Sequence, residues 1–210
     1  MVITELMRSA GRRVMLGVDL GKRQTPTTIV VVERQNGDRV WDNLQRCWMS
    51  SVRSEAAVVR WLESIPLGTS YDRVARRIWM VAEQSGAAEI WMDGTGVGVA
   101  VEEMIAQRKP TGIRCILRSV MITGGQQAHS TSVPRKELLT RLAVEWQQGR
   151  VKVAAGLSNW PELRKELLAL DGHGQKRHGR DDLALGLALA VWGLKGSGAT
   201  VGERDDGRLL

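Results

Sequence analysis

The sequence predicts an α/β fold, a central mixed β-sheet flanked by helices. Three observations predict it. Short β-branched runs open the chain, strand and helix patterns alternate from residue 71 to residue 120, and amphipathic helical patterns fill the second half. Closely spaced opening strands imply a hairpin or meander, whereas strands separated by helices imply parallel pairing, so the sheet is mixed.

Residues 1–13 lack periodicity and carry Arg8, Arg12 and Arg13, which reads as a flexible basic arm. VMLGVDL (14–20) is a short apolar run, and TTIVVVER (27–34) is β-branched for most of its length, as a buried strand should be. NGD at 36–38 is a tight-turn signal, and RVWDNLQRCWMS (39–50) alternates as a third strand. SEAAVVRWLES (54–64) reads as a helix. YDRVARRIWMVAEQSG (71–86) is another, with Val74, Ile78, Val81 and Ala82 at helical spacing and Gly86 as its stop. AEIWMD (88–93) is a strand ending in an acid, GTGVG (94–98) opens the helix VAVEEMIAQR (99–108), and TGIRCILRSV (111–120) is the next strand.

After the polar loop TGGQQAHSTS (123–132), Ser132 is expected to cap a helix from Pro134 to Gly149, with Leu138, Leu139, Leu142, Ala143 and Trp146 on one face. RVKVAA (150–155) suggests a short strand, NWPELRKELLAL (159–170) a helix, and DGHGQKRHGR (171–180) a glycine-rich basic loop. DDLALGLALAVW opens the last helix, which runs to about Lys195. The folded domain is expected over 14–195, with 196–210 as a disordered tail.

At 210 residues the chain can bury one sizeable core. No apolar stretch reaches the ~20 residues of a membrane span, and the start has no secretory pattern, so a cytoplasmic protein without a membrane partner is expected. Cys47 and Cys115 stand alone, without a CxxC pair, and read as core thiols rather than a disulfide or zinc framework. The eight Trp residues mostly occupy apolar faces and read as core. Thirty Lys and Arg against 23 Asp and Glu give a net charge of +7, which favours a polyanionic partner without naming it.

Three acidic stations stand where chemistry rather than packing would put them. Asp19 ends the first strand in GVDLG, Asp93 ends a later strand in WMDGTG, and Asp181 with Asp182 precedes the last helix. An acid at the end of a buried strand is costly to desolvate unless it is paired or binds a cation. Mg²⁺ takes oxygen ligands and is usually held by one or two carboxylates plus substrate phosphate. Two such ions, roughly 3.5–4 Å apart, can activate water and stabilise the leaving oxygen of a phosphodiester. Each acid also has a local explanation, as a turn residue or a helix cap.

GVDLG before an apolar strand, MDGTGVG ahead of a helix, VPRKELLTRLAVEWQQGRVKV, LRKELLAL and DDLALGLALAVW together resemble the C-terminal nuclease domain of tailed-phage large terminase subunits, within the RNase H/integrase-like superfamily. The resemblance covers roughly residues 14–195 and implies an RNase H-like fold. It further implies that Asp19, Asp93 and Asp182, with Asp181 close by, bind two Mg²⁺ or Mn²⁺ ions and cut double-stranded DNA with little sequence preference during packaging. Its partners would then include DNA and a terminase ATPase motor, small terminase subunit or portal, in the host cytoplasm. No GxxxxGK[ST] loop occurs in this chain, so the resemblance concerns either the nuclease domain of a larger chain or a separately encoded nuclease. Where the family often has His just before the acid pair, this chain has Arg180, with His178 two residues further back, so which Asp is the primary ligand stays open.

Lys22, Arg23, Lys176, Arg177 and Arg180 flank the acids and are expected to contact DNA phosphates. A Holliday-junction resolvase of the same superfamily would share the acidic stations, and a non-catalytic DNA-binding packaging protein would share the charge. A dinucleotide-binding GxGxxG fails because Val99 stands where its third glycine belongs. An actin-like kinase would need a longer chain with two related subdomains. His129, His173 and His178 are too loosely spaced for zinc.

Overall fold

Val and Ile crowd the first strands because a pleated, buried surface suits branched side chains. The computed structural model describes residues 13–21, 25–36, 39–42, 46–50, 55–95, 99–125, 132–170 and 180–195. Strand β1 (Val14–Asp19) pairs antiparallel with β2 (Thr27–Gln35), from Val14↔Glu33 to Asp19↔Thr28. The 39–50 segment, expected as one strand, is two. β3 (Arg39–Asp42) and β4 (Cys47–Ser50) form an antiparallel ribbon of their own, with Trp41 opposite Trp48 and Arg46 in the left-handed region at φ 49°. The ribbon cannot join β2, because both edges of β2 are taken, one by β1 and the other by β5 (Ala56–Ile65).

β5 corrects the helix expected over 54–64. It pairs antiparallel with β2 from Thr27↔Ile65 to Gln35↔Ala56, and between Val31↔Trp61 and Val32↔Val59 it carries one extra residue, Arg60. That bulge shifts the alternation by one. Ala57, Val59 and Leu62 therefore pack on one face of the sheet and Trp61 and Ile65 on the other. The resulting spacing of 59, 62 and 65 imitates a helical stripe, and Ala, Glu and Leu add helical propensity that pairing overrides.

Helix α1 (Tyr71–Ser85) follows, capped by Ser70 and ended by Gly86 at φ 65°, as its sequence predicts. β6 (Glu89–Asp93), α2 (Val99–Gln107) and β7 (Ile116–Thr123) come next. β7 starts five residues later than expected, because 111–112 make a turn with Gly112 at φ 88°. Ser132 does not cap a helix; it begins β8 (Ser132–Pro134), and α3 (Arg135–Gln147) starts after Pro134 without a side-chain cap. β9 (Val151–Val153), α4 (Trp160–Ala169) and α5 (Asp182–Lys195) complete the chain.

The seven-stranded sheet runs β8-β7-β6-β1-β2-β5-β9. The β1–β2 and β2–β5 pairs are antiparallel and the other four are parallel, which makes the sheet mixed. One face carries α1 and α2 over Leu16, Val18, Ile29, Val31, Ile90 and Met92. The other carries α5 over Met15, Val30, Val32 and Trp91, with Leu138 and Leu142 of α3 and Leu163 and Leu167 of α4 in the same core. Every residue from Leu183 to Leu194 is buried, so α5 is apolar all round, as a helix enclosed on both sides must be. Cys115 and Trp79, Trp91 and Trp192 are buried as expected. Among the described residues no helix is long and apolar enough to cross a membrane.

Candidate metal centre

β1 and β6 lie side by side and parallel, with Met15↔Glu89 through Val18↔Met92 in register. Continuing that register by one residue brings Asp19 beside Asp93, each the last residue of its strand. Side chains alternate along a strand, so both acids share the face of Met15 and Trp91, the one that α5 covers. Asp93 Oδ1 accepts the Thr95 backbone N–H at 2.7 Å, which fixes the carboxylate in the turn beyond β6.

Two glycines place α5. A Cβ on Gly17 would stand 1.8 Å from the Gly186 carbonyl oxygen and 2.7 Å from the Ala190 nitrogen, so helix and strand backbones touch there. From that contact, four residues back along the helix cover about 6 Å and two residues on along the strand about 6.6 Å. Asp182 therefore arrives over Asp19. Thr28, directly across from Asp19, seals the position by donating its hydroxyl to the Asp182 carbonyl at 2.8 Å.

Carboxylates from three distant segments thus gather within electrostatic reach of Asp19 at one end of β1. Burial, and after it the charges of Asp93, Asp182 and Asp181, push the Asp19 carboxyl up to about 8, with Arg135 pulling the other way. Arg135, the first residue of α3, pairs with buried Asp181, and Arg180 Nε holds Asp182 Oδ2 at 3.0 Å. Among the described residues no group of three or more His, Cys, Asp or Glu side chains is arranged to hold a metal ion as it stands. Asp181 and Asp182 are satisfied by guanidinium groups instead. The donor set nevertheless fits a hard cation, since it consists of carboxylate oxygens whose mutual repulsion a divalent ion would relieve.

Comparison with solved structures gives a consistent result. The large terminase nuclease from thermophilic phage G20c with bound magnesium is similar at 21% identity over 88% of this chain and 82% of that one, with a TM-score of 0.57. The nuclease domain of the large terminase subunit of bacterial virus Sf6 is similar at 12% identity over 89% and 90%, with a TM-score of 0.54. A mutant of that Sf6 domain with manganese and beta-thujaplicinol covers 85% and 87% at 13% identity, with a TM-score of 0.54. The fold is that of large terminase nuclease domains. No protein-family model and no curated protein matches the sequence.

Within this terminase-nuclease fold the structure brings together Asp19, Asp93, Asp181 and Asp182, and sets Arg180 against Asp182. Lys22, Arg23, Lys176 and Arg177 lie outside the described residues, as do residues 1–12 of the arm expected over 1–13, the three His residues and the tail over 196–210.

Two residues escaped the sequence reading. Arg135 is a cation in the first turn of a helix, where the dipole favours acids, and that mismatch was a usable signal. Glu166 lies beside Leu163 and Leu167 on the buried stripe of α4, an acid in an apolar register. Burial first, and then Asp182 and Asp181, raise its carboxyl to about 7 against the opposing bonds from the Ala184 and Leu183 amides.

These shifts set a pH dependence. A carboxyl whose pKa is higher folded than unfolded holds its proton better in the folded state, so its stabilising contribution is complete below about pH 4. It is lost as pH rises through about 7 for Glu166 and about 8 for Asp19. The metal-free melting temperature should therefore fall between pH 5 and pH 8.5, and Mn²⁺ should raise it more at pH 8.5 than at pH 6. Melting curves with EDTA and with Mn²⁺ check this; a metal-free midpoint that climbs over that range contradicts it.

Proposed function

We propose that this chain is a metal-dependent endodeoxyribonuclease that cuts double-stranded DNA with low sequence preference during viral genome packaging. The observation that carries the reading is the gathering of Asp19, Asp93, Asp181 and Asp182, drawn from three separate segments, at the ends of the central strands β1 and β6 of a terminase-nuclease fold. Similar nuclease domains hold magnesium or manganese, which supports a divalent cofactor here. Asp19, Asp93 and Asp182, with Asp181 beside them, would hold two Mg²⁺ or Mn²⁺ ions. A pair of such ions supplies Lewis acidity, activating a water and neutralising charge on the leaving 3′ oxygen.

The chain's own groups prepare that chemistry. Thr95 orients Asp93, and Thr28 fixes the start of α5 over Asp19. The helix N-terminus offsets part of the carboxylate charge. Arg135 and Arg180 balance the acid pair and, with Lys22, Arg23, Lys176 and Arg177 nearby in sequence, would grip phosphates on either side of the cut. Such contacts position DNA without reading bases, so affinity should fall steeply with salt. The ATPase motor, small subunit or portal of a packaging complex would be the protein partners.

The test is cleavage of supercoiled plasmid, linear duplex and a four-way junction in Mg²⁺, Mn²⁺ or EDTA. Plasmid and duplex should be cut with either metal and left intact with chelator. A junction cut more than about tenfold faster than duplex would make the protein a resolvase. Binding without any cutting would make it a non-catalytic packaging protein.

A further inference from the structure

The paired aspartates at the start of α5 pose a question of capping. The Asp181 carbonyl accepts the Leu185 N–H at 2.8 Å, which places Asp181 at the N-cap. An Asp there normally turns its carboxylate onto the amide of the second or third helical residue, here Leu183 or Ala184. In this fold both amides face Glu166 instead. The Ala184 N–H donates to Glu166 Oε2 at 2.7 Å, from α4 and 18 residues upstream. Asp181 pairs with Arg135, and Asp182 with Arg180. A local cap is the simpler arrangement, since it orders no second helix. With a half-buried acid from another element in that place, Asp181 stays on Arg135 and Asp182 on Arg180, beside Asp19.

We infer that Glu166 is a positioning residue, which caps α5 from outside and so keeps the Asp181 and Asp182 carboxylates on the acidic site. The inference rests on the nuclease reading above. Without Glu166 the Asp181 side chain has an open amide within its own helix turn and falls back on it. The helix stays capped, but the acid pair is rearranged and Arg135 loses its partner.

The experiment compares the parent with Glu166→Gln and Glu166→Ala, titrating Mn²⁺ by plasmid cleavage and by calorimetry and recording metal-free melting. Glu166→Ala should need at least about tenfold more Mn²⁺ for half-maximal cleavage, the range seen when groups that orient metal ligands are removed. Glu166→Gln keeps an acceptor oxygen at Ala184 and should stay within about threefold of the parent. Asp181→Ala should lower the melting temperature more in the Glu166→Ala background than in the parent, because only there does Asp181 cap the helix. Should Glu166→Ala not fold, Glu166→Asp, one methylene short of Ala184, takes its place.

Parental Mn²⁺ dependence in Glu166→Ala overturns the inference. So does equal impairment of Glu166→Gln and Glu166→Ala, which would mean that the carboxylate charge itself is used. A parent that neither cuts DNA nor binds Mn²⁺ overturns the nuclease reading and takes this inference with it, whereas a parent that does both isolates the role of Glu166.

Discussion

Asp19→Asn is expected to reduce metal-dependent DNA cleavage by more than about a hundredfold, since even groups that only support metal ligands are worth about 10–100-fold, and at the same time to make the metal-free protein more stable at pH 8. The two effects share one cause. Asp19 is desolvated by burial and then crowded by Asp93, Asp182 and Asp181, and its carboxyl is pushed up to about 8. As pH rises through that range the folded state takes on the cost of ionising a poorly solvated acid. Each pKa unit corresponds to about 1.4 kcal/mol, so the relief is on the order of a few kcal/mol before the burial of an amide is subtracted. For a domain of this size that raises the melting temperature by about 5 °C or more. Asn offers one neutral oxygen where a cation needs charge, so Mn²⁺ should no longer raise the midpoint. Asp93→Asn should lose cleavage equally, while its retained oxygen still accepts the Thr95 amide and spares the turn. Cleavage rates and melting curves for both variants, with and without Mn²⁺, decide the matter. Either variant cutting as fast as the parent removes its residue from the site.

Gly17→Ala is expected to destabilise the protein by more than about 3 kcal/mol and to abolish cleavage although Gly17 carries no chemistry; overpacked cores usually cost about 1–3 kcal/mol when side chains can yield. Here nothing yields. The new Cβ meets the Gly186 carbonyl carbon and oxygen and the Ala190 nitrogen, all backbone atoms of α5 and all within 2.9 Å. The helix has to lift from the sheet, carrying Asp181 and Asp182 away from Asp19 and opening the core that Leu183 to Leu194 fill. Gly186→Ala is the contrasting case. Its Cβ would meet the Val30 and Thr28 side chains at a tight 3.1 and 3.2 Å and the Gly17 carbonyl oxygen at an ordinary 3.6 Å, against which removing a mid-helix glycine returns about 1 kcal/mol. That variant should fall between Gly17→Ala and Gly124→Ala, since it crowds the Thr28 hydroxyl that holds the start of α5, whereas a Cβ on Gly124 meets nothing within 4 Å and should be near neutral. Urea denaturation of the three proteins ranks them, and Gly17→Ala within 1 kcal/mol of the parent would contradict the close approach of α5 to β1.

Much of the architecture was legible because periodicity and punctuation agreed. α1 has its stripe and its Gly86 stop, β6 its apolar run ending in Asp93, and α5 an unbroken apolar stretch that only an enclosed helix tolerates. The acidic stations were legible because acids that end buried strands call for a partner. Arg135 and Glu166 were not read because each sits in an ordinary-looking helix, and the clue was only a charge in the wrong turn or register.

By itself the sequence determined what local energetics determine: where branched residues extend the chain, where helical stripes begin and stop, and which carboxylates stand at element ends. Only the tertiary structure decided that 56–65 is a strand, because β2 offered an open edge and a bulge at Arg60 disguised the alternation. It alone set the 39–50 ribbon apart from the sheet and laid α5 on β1 through two glycines. It also gave the cap of α5 to Glu166 rather than to Asp181. Each of these depends on a neighbour far away in the chain, and pairing or packing with such a neighbour outweighs the few tenths of a kcal/mol by which a residue prefers one local conformation.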